Sequence, residues 1–165
     1  MARTWTDFFV TIGGAAAALT GLLFVAVALR PREIRGSPLM VGRARSAFYS
    51  FAAVLFVALL ALSGTSSRVV GIAQTLVALA ALAWSSPFTL TAWRARTLNY
   101  GRAAVYHAGL VLVAVAGIVR TAGGSRQTNE ELLALGALLL VGIALSNSWQ
   151  LVLSHESDED ADPTG

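Results

Sequence analysis

Long apolar runs with very few charged residues are the feature that most restricts how this chain can fold. Five such runs are present, each near the roughly 20 residues that an α-helix needs to cross about 30 Å of hydrocarbon. The runs are continuously apolar rather than alternating, which indicates helices and not the strands of a barrel. The sequence therefore predicts an all-α integral membrane bundle with five transmembrane helices, at residues 8–29, 46–64, 69–92, 103–119 and 132–153.

Composition agrees with this class and excludes several others. Charged residues make up 13% of the 165 residues, whereas an ordinary soluble domain has roughly 25%. The absence of Cys excludes disulfides, thiolate metal sites and cysteine nucleophiles, and the absence of Lys excludes a Walker phosphate loop and a Schiff-base lysine. With two His and no acidic residue inside a predicted span, we expect no catalytic residue, no metal ion, no cofactor and no enzymatic activity.

The arginines predict the orientation of the bundle. Eight of the twelve basic residues fall in two connecting segments on one side, and such segments usually stay in the cytoplasm. The N-terminus is therefore predicted outside and the C-terminus inside. The eight cytoplasmic charge anchors are Arg30, Arg32, Arg35, Arg43, Arg45, Arg94, Arg96 and Arg102.

The same distribution bears on partners and on domain organisation. The arginines sit in short breaks between apolar runs, which argues against nucleic acid as a partner. Membrane lipids are the expected surroundings, and the arginine-rich segment at residues 30–45 could attract anionic headgroups. Residues 1–153 are predicted to form one transmembrane domain. Residues 154–165, rich in acidic residues and without apolar ones to bury, are predicted to be a disordered cytoplasmic tail.

Two local patterns predict connections between the helices. Residues 63–67 read Ser-Gly-Thr-Ser-Ser, a tight polar turn that predicts the second and third spans to be antiparallel packing neighbours. Residues 128–131 read Thr-Asn-Glu-Glu immediately before an apolar run, which is typical of a helix N-terminal cap with acidic residues in the first turn.

Small residues recur at four-residue spacing in two spans. Gly13, Ala17 and Gly21 form such a stripe in the first span, and Gly142 and Ser146 form one in the last. In lipid, a stripe of small residues lets another helix approach closely. Two interpretations remain open: packing within the chain, or an interface to a second copy or to a partner membrane protein. The second interpretation predicts a homo-oligomer.

The first span also carries a resemblance. It begins W-T-D-F-F-V at residues 5–10 and continues A-L-T-G-L-L-F-V-A at residues 18–26. With these motifs, the region of residues 5–29 resembles a group of small bacterial multi-pass membrane proteins that open with a W-x-x-F-F-V helix. The resemblance implies a multi-pass protein of the bacterial cytoplasmic (inner) membrane, and it implies no activity.

Polar side chains are expected to collect near the cytoplasmic ends of three helices. Tyr49, Ser50, His107, Asn147 and Gln150 all fall at a similar depth if the predicted spans are right. Polar groups within a membrane normally turn inward and bond to one another. The cluster is either an interhelical hydrogen-bond clamp with a neutral His107, or a polar vestibule in which His107 titrates.

These observations lead to two functional hypotheses. The first is a small non-enzymatic membrane protein that acts through helix–helix contacts as an oligomeric scaffold or modulator. It depends on the small-residue stripes and on the missing reactive groups. The alternative is a passive channel for ions or small solutes, which depends on the polar vestibule around His107.

Overall fold

The described part of the chain is helical almost throughout. The computed structural model describes residues 2–29, 31–63, 67–94 and 100–153. Five helices in these ranges are long and apolar enough to cross a membrane, and a sixth, short helix connects the first two of them. The predicted all-helical architecture with five candidate spans is therefore confirmed. The helices are α1 (Ala2–Leu29), α2 (Pro31–Gly36), α3 (Pro38–Leu62), α4 (Ser67–Arg94), α5 (Tyr100–Thr121) and α6 (Arg126–Leu153).

The connection between the first two long helices is itself largely helical. The side chain of Ser37 accepts a hydrogen bond from the backbone N–H of Met40 at 3.4 Å, which caps the start of α3. Pro38 follows as the first residue of α3, where its missing N–H would have had no helical partner. Because α3 begins here, Arg43 and Arg45 belong to its first turns and not to a loop.

Helix α5 ends in a glycine-dependent turn. Gly123 has a φ of 81°, a left-handed conformation that side chains with a Cβ adopt only at a cost. The backbone N–H of Gly124 then donates to the carbonyl of Val119 at 2.8 Å. This bond is the six-to-one bond of a Schellman motif, which satisfies a carbonyl that the end of the helix would otherwise leave unpaired.

The N-terminal cap of α6 lies earlier than the sequence predicts. The side chain of Ser125 accepts a hydrogen bond from the backbone N–H of Thr128 at 3.0 Å, so Ser125 is the cap. Residues 128–131 are already inside the helix, and the predicted cap at these positions is wrong. The acidic residues there bond along the helix instead, with Glu130 accepting from Arg126 at 2.7 Å.

The five long helices pack in the spatial order α1, α3, α6, α5, α4, each against the next. Although only four residues separate α3 from α4 in the sequence, the two helices make little contact, so the prediction that they are packing neighbours is wrong. A turn fixes only the distance between two helix ends, whereas the packing partner depends on which faces fit together. Helix α4 fits α5 better, through the glycine contact described below.

The core lies between neighbouring helices, and the outside is apolar. The largest fully buried apolar side chains are Phe51, Leu110, Leu133, Leu140, Val54 and Val70. Many other large apolar side chains point outward, and Leu22, Phe24 and Trp84 are each more than 60% exposed. An exterior of this kind has no favourable interaction with water and suits contact with acyl chains.

Candidate functional site

The predicted small-residue stripe of α1 is divided between two faces of the helix. Gly13 is buried against α3, where an added methyl group would lie 2.8 Å from the Cβ of Ala58. Ala17 and Gly21 are exposed, and no atom outside the local helix lies within 4 Å of the Cβ position of Gly21. Each four-residue step advances about 40° beyond a full turn, so residues eight apart no longer share a face. The stripe thus serves intrachain packing at Gly13 and points away from the bundle at Gly21.

The outward face of α1 is centred on a glycine that sequence reasoning missed. Gly14, Ala18 and Gly21 are all exposed, and the Cβ positions of both glycines meet nothing within 4 Å. Their spacing of four and three residues is the spacing that keeps side chains on one face of a helix. Because α1 is at one end of the row of helices, this face is open. The i, i+4, i+7 pattern would have identified Gly14.

The stripe of α6 also points outward. Gly142 and Ser146 are both exposed, and nothing lies within 4 Å of the Cβ position of Gly142. Large apolar side chains surround them, among them Leu145 and Trp149, which are 45% and 63% exposed. These two small residues therefore lie on the outer surface of the central helix and not between helices.

A polar network joins three helices at one end of the bundle. We call this end, which carries the first turns of α3 and α5 and the last turns of α6, the arginine end. Asn147 is buried there; its Oδ1 accepts a hydrogen bond from the Arg102 guanidinium, and its Nδ2 donates to the Ser46 hydroxyl at 3.0 Å. The network links α6 to α5 and to α3. Sequence reasoning missed Ser46 and treated Arg102 as a charge anchor alone.

Other members of the predicted vestibule have different surroundings. Ser50 is buried, and its hydroxyl donates to the carbonyl of Ser46 one turn earlier, at 2.9 Å. Tyr49 is exposed, and its hydroxyl accepts from the Nε of Arg45 at 3.2 Å. Gln150 is partly buried. Ser50 therefore lies beside the Asn147 network, whereas Tyr49 faces outward.

His107 belongs to a second, separate contact. Its Nδ1 donates to the carbonyl of Ala103 in the preceding turn at 2.7 Å, and its Nε2 lies 3.5 Å from the Ser85 hydroxyl on α4. The described partners of His107 are thus on α4 and α5, whereas those of Asn147 are on α3 and α5. The residues expected to form one polar cluster fall into two groups on different helix pairs.

A short repeat that sequence reasoning missed forms the contact between α4 and α5. The pattern Val-x-Gly-Ile-x-x-Thr occurs at residues 69–75 and again at residues 115–121. A methyl group at Gly117 would lie 2.7 Å from the carbonyl oxygen of Gly71, and one at Gly71 would lie 2.7 Å from the carbonyl oxygen of Gly117. The two antiparallel segments therefore approach each other reciprocally, at a distance that only glycine permits at either position.

Two further buried amides differ in their hydrogen bonding. Asn129 is buried, and its Nδ2 donates to the carbonyl of Ala116 on α5 at 2.6 Å. Gln74 is fully buried on α4, and neither its nitrogen nor its oxygen has a hydrogen-bond partner within the described residues. Burying an amide without a hydrogen-bond partner costs free energy, so Gln74 is expected to destabilise the fold.

The predicted charge anchors occupy the arginine end as far as they are described. Arg32 is exposed on α2, Arg35 belongs to the same helix, and Arg94 is the last residue of α4. Arg30, Arg96 and the tail at residues 154–165 lie outside the described residues. The acidic residues whose side chains are described all lie at the opposite end, in the first turns of α1 and α6: Asp7, Glu130 and Glu131.

Comparison of the chain with known protein families, with curated proteins and with solved structures found no match. Within the described ranges, no three His, Asp or Glu side chains come together in a way that could hold a metal ion. Two features remain as candidates for a functional site. They are the open face of α1 and the polar network at the arginine end.

Proposed function

We propose that this chain is a non-enzymatic integral membrane protein that acts as an oligomeric scaffold or modulator, by binding another transmembrane helix on the outward face of α1. The observation that carries the proposal is the open surface formed by Gly14, Ala18 and Gly21 at the end of the row of helices. The proposal places all five long helices across a bacterial inner membrane, with the N-terminus outside and the C-terminus in the cytoplasm.

Membrane insertion is supported by the exterior of the bundle. Its five long helices are apolar over enough length to cross the hydrocarbon, and large apolar side chains cover their outer surfaces. The orientation is supported by the arginines at the end of the bundle that carries α2, because arginine-rich connections usually remain cytoplasmic.

Helix association through this face has a physical basis in lipid. Acyl chains are as apolar as the helices, so association depends on close packing and on weak Cα–H hydrogen bonds, and small residues permit both. The α4–α5 contact at Gly71 and Gly117 follows the same chemistry within the chain. A second copy is the simplest partner because identical faces pack about a two-fold axis.

The subunit number in native-like lipid tests the proposal. The protein is reconstituted in lipid nanodiscs, and its mass is measured for the wild type and for Gly14→Leu, Gly21→Leu and Gly142→Leu. The Cβ position of each of these glycines meets no other atom of the protein within 4 Å, so we expect no steric disturbance of the fold. We expect an oligomer for the wild type and for Gly142→Leu, and a monomer for the two α1 variants.

Other outcomes contradict the proposal. A monomeric wild type excludes the oligomeric scaffold. An oligomer that survives both α1 substitutions but separates with Gly142→Leu moves the interface to α6 and contradicts the assignment to α1.

Orientation has an independent test because the chain contains no Cys. A single cysteine is introduced at Gly36, an exposed position at the arginine end, or at Gln127, an exposed position at the opposite end. Both changes keep every arginine. A membrane-impermeant maleimide applied to intact cells is expected to label Gln127→Cys and to leave Gly36→Cys unlabelled. The reverse pattern would show that the proposed orientation is inverted.

A further inference from the structure

Two arginines from different helices face one junction at the arginine end. Arg102 on α5 donates to Asn147 on α6, and Asn147 donates to Ser46 on α3. Arg43 precedes Ser46 by three residues on α3, and residues three apart lie on the same face of a helix. Arg43 is therefore on the side of α3 that meets Asn147 and Arg102. Both arginine side chains are partly buried rather than extended into solvent.

This pair of positive charges has no counter-charge among the described side chains. Arg43 makes no hydrogen bond or ion pair with the described residues. Arg102 uses Nη2 for Asn147, whereas a guanidinium carries five N–H donors. The described acidic side chains all lie at the other end of the helices. Two partly buried like charges repel each other, so an anion between them lowers the energy of this junction.

The depth of the pair indicates where such an anion comes from. Arg102 lies in the first turn of α5, and Arg43 lies in the second turn of α3. Both positions are within a few ångströms of the helix ends, the level at which the headgroups of a bilayer begin. A guanidinium has the planar, forked arrangement of donors that binds a phosphate through paired hydrogen bonds. A lipid phosphate would reach this site from the surrounding leaflet.

We propose that Arg43 and Arg102 together bind the phosphate group of an anionic membrane lipid, with Asn147 as a positioning residue that holds Arg102 in place. The inference rests on the proposed membrane insertion and not on the proposed oligomer. The site differs from general attraction of basic segments to anionic membranes because it requires two particular side chains, from α3 and α5, around one ligand.

Lipid binding to the purified protein tests this site. Native mass spectrometry measures the affinity for phosphatidylglycerol, with phosphatidylcholine as the zwitterionic comparison. We expect Arg43→Gln and Arg102→Gln each to lower the affinity for phosphatidylglycerol by about fivefold or more, and the affinity for phosphatidylcholine far less. Arg68→Gln removes the same charge from an exposed position at the opposite end and is expected to change neither affinity by more than about twofold, because that charge is screened over such a distance.

A variant that keeps the hydrogen bond from Arg102 separates the site from simple misfolding. In Asn147→Asp, one carboxylate oxygen still accepts from Arg102, and the Ser46 hydroxyl can donate to the other oxygen in place of the lost Nδ2 donation. The new negative charge, however, occupies the place of the phosphate as counter-ion. We expect preferential binding of phosphatidylglycerol to be lost in this variant while thermal stability is kept or raised. The double variant of Arg43 and Arg102 is expected to bind little worse than either single variant, because the two side chains share one ligand.

Several outcomes would overturn the proposal. If the Arg43, Arg102 and Arg68 variants bind phosphatidylglycerol equally well, lipid binding depends on general surface charge and not on this site. Fully additive losses in the double variant would show that the arginines act on separate lipids. Displacement of the lipid by inorganic phosphate at low millimolar concentration would assign the site to a soluble phosphate and not to a lipid. If the protein cannot be incorporated into nanodiscs, the proposed membrane insertion is wrong. That result differs from each of the three outcomes above, which concern the lipid site alone.

Discussion

The contact between α4 and α5 gives the sharpest quantitative prediction. In Gly117→Ala, the new methyl carbon would lie 2.7 Å from the carbonyl oxygen of Gly71 and 2.9 Å from the backbone nitrogen of Thr75. A relaxed carbon–oxygen contact of this kind is about 3.3 Å or longer. The Thr75 hydroxyl lies closer still, but it is a side-chain atom that can rotate away. The two backbone atoms cannot, so the helices must separate locally by about 0.6 Å.

The cost follows from packing and from helix propensity. Overpacking a close contact costs about 1–3 kcal/mol, and replacing Gly by Ala in a helix returns about 0.5–1 kcal/mol. Taking the middle of each range, about 2 kcal/mol less about 0.75 kcal/mol, we expect Gly117→Ala to lower the free energy of unfolding by about 1 kcal/mol. Gly142→Ala is the matched control, since its methyl group enters open space on α6. It is expected to raise the free energy of unfolding by about 0.5–1 kcal/mol.

The assay is unfolding of the solubilised protein in mixed micelles of mild detergent and increasing SDS, followed by tryptophan fluorescence. Gly71→Ala is expected to match Gly117→Ala, because each methyl group meets the carbonyl oxygen of the other glycine at 2.7 Å. The double variant is expected to cost less than the two single costs added together, since one separation of the helices relieves both collisions.

One result would refute this reasoning directly. If Gly117→Ala and Gly142→Ala shift the unfolding midpoint equally and in the same direction, α4 and α5 are not in close contact at the glycines. Strict additivity in the double variant would contradict the shared separation, even if each single variant behaves as expected.

Three further predictions use the same unfolding assay. Gln74→Leu is expected to raise the free energy of unfolding by about 1 kcal/mol or more, because it removes a buried amide without a partner in the described structure. A free energy of unfolding below that of the wild type would mean that a water or another group pairs with Gln74. Asn129→Leu is expected to lower the free energy of unfolding by about 1 kcal/mol by removing the interhelical hydrogen bond to the Ala116 carbonyl, and an unchanged midpoint would contradict this. Gly123→Ala is expected to lower it by about 1 kcal/mol because of the φ of 81°, and a stabilised variant would show that the turn has another conformation.

The number of long helices could be predicted from the sequence, whereas their ends could not. Lipid allows no unpaired backbone, so each long apolar run must be helical along its full length. Beyond the apolar run, however, polar residues can continue the helix at little cost. The cap of α6 at Ser125 shows this, because the helix begins where a side chain satisfies its first N–H groups and not where hydrophobicity begins.

The order of the helices could not be predicted from the turns alone. The polar turn after α3 predicted α4 as its neighbour, but α3 packs on α1 and α6 instead. Which helix lies beside which depends on complementary faces, and the face of α4 carries Gly71 where α5 carries Gly117. The repeated Val-x-Gly-Ile-x-x-Thr pattern is the signal in the sequence that could have identified this pair.

The contact between Arg102 and Asn147 shows what can be predicted from the depth of a residue along its helix and what cannot. Helices α5 and α6 are joined by a short turn at Gly123, and the two residues lie at nearly equal distances along the chain from that turn. An antiparallel hairpin must therefore bring them to the same level. The depth of a residue does not determine which way its side chain faces, and α5 and α6 also turn a glycine toward each other. A methyl group at Gly109 would lie 3.2 Å from the carbonyl oxygen of Gly136, and the reverse distance is 3.0 Å. Substitution at either glycine should therefore disturb the Arg102–Asn147 bond, from about two turns away at Gly109 on α5 and about three turns away at Gly136 on α6, because the same rotation affects both contacts.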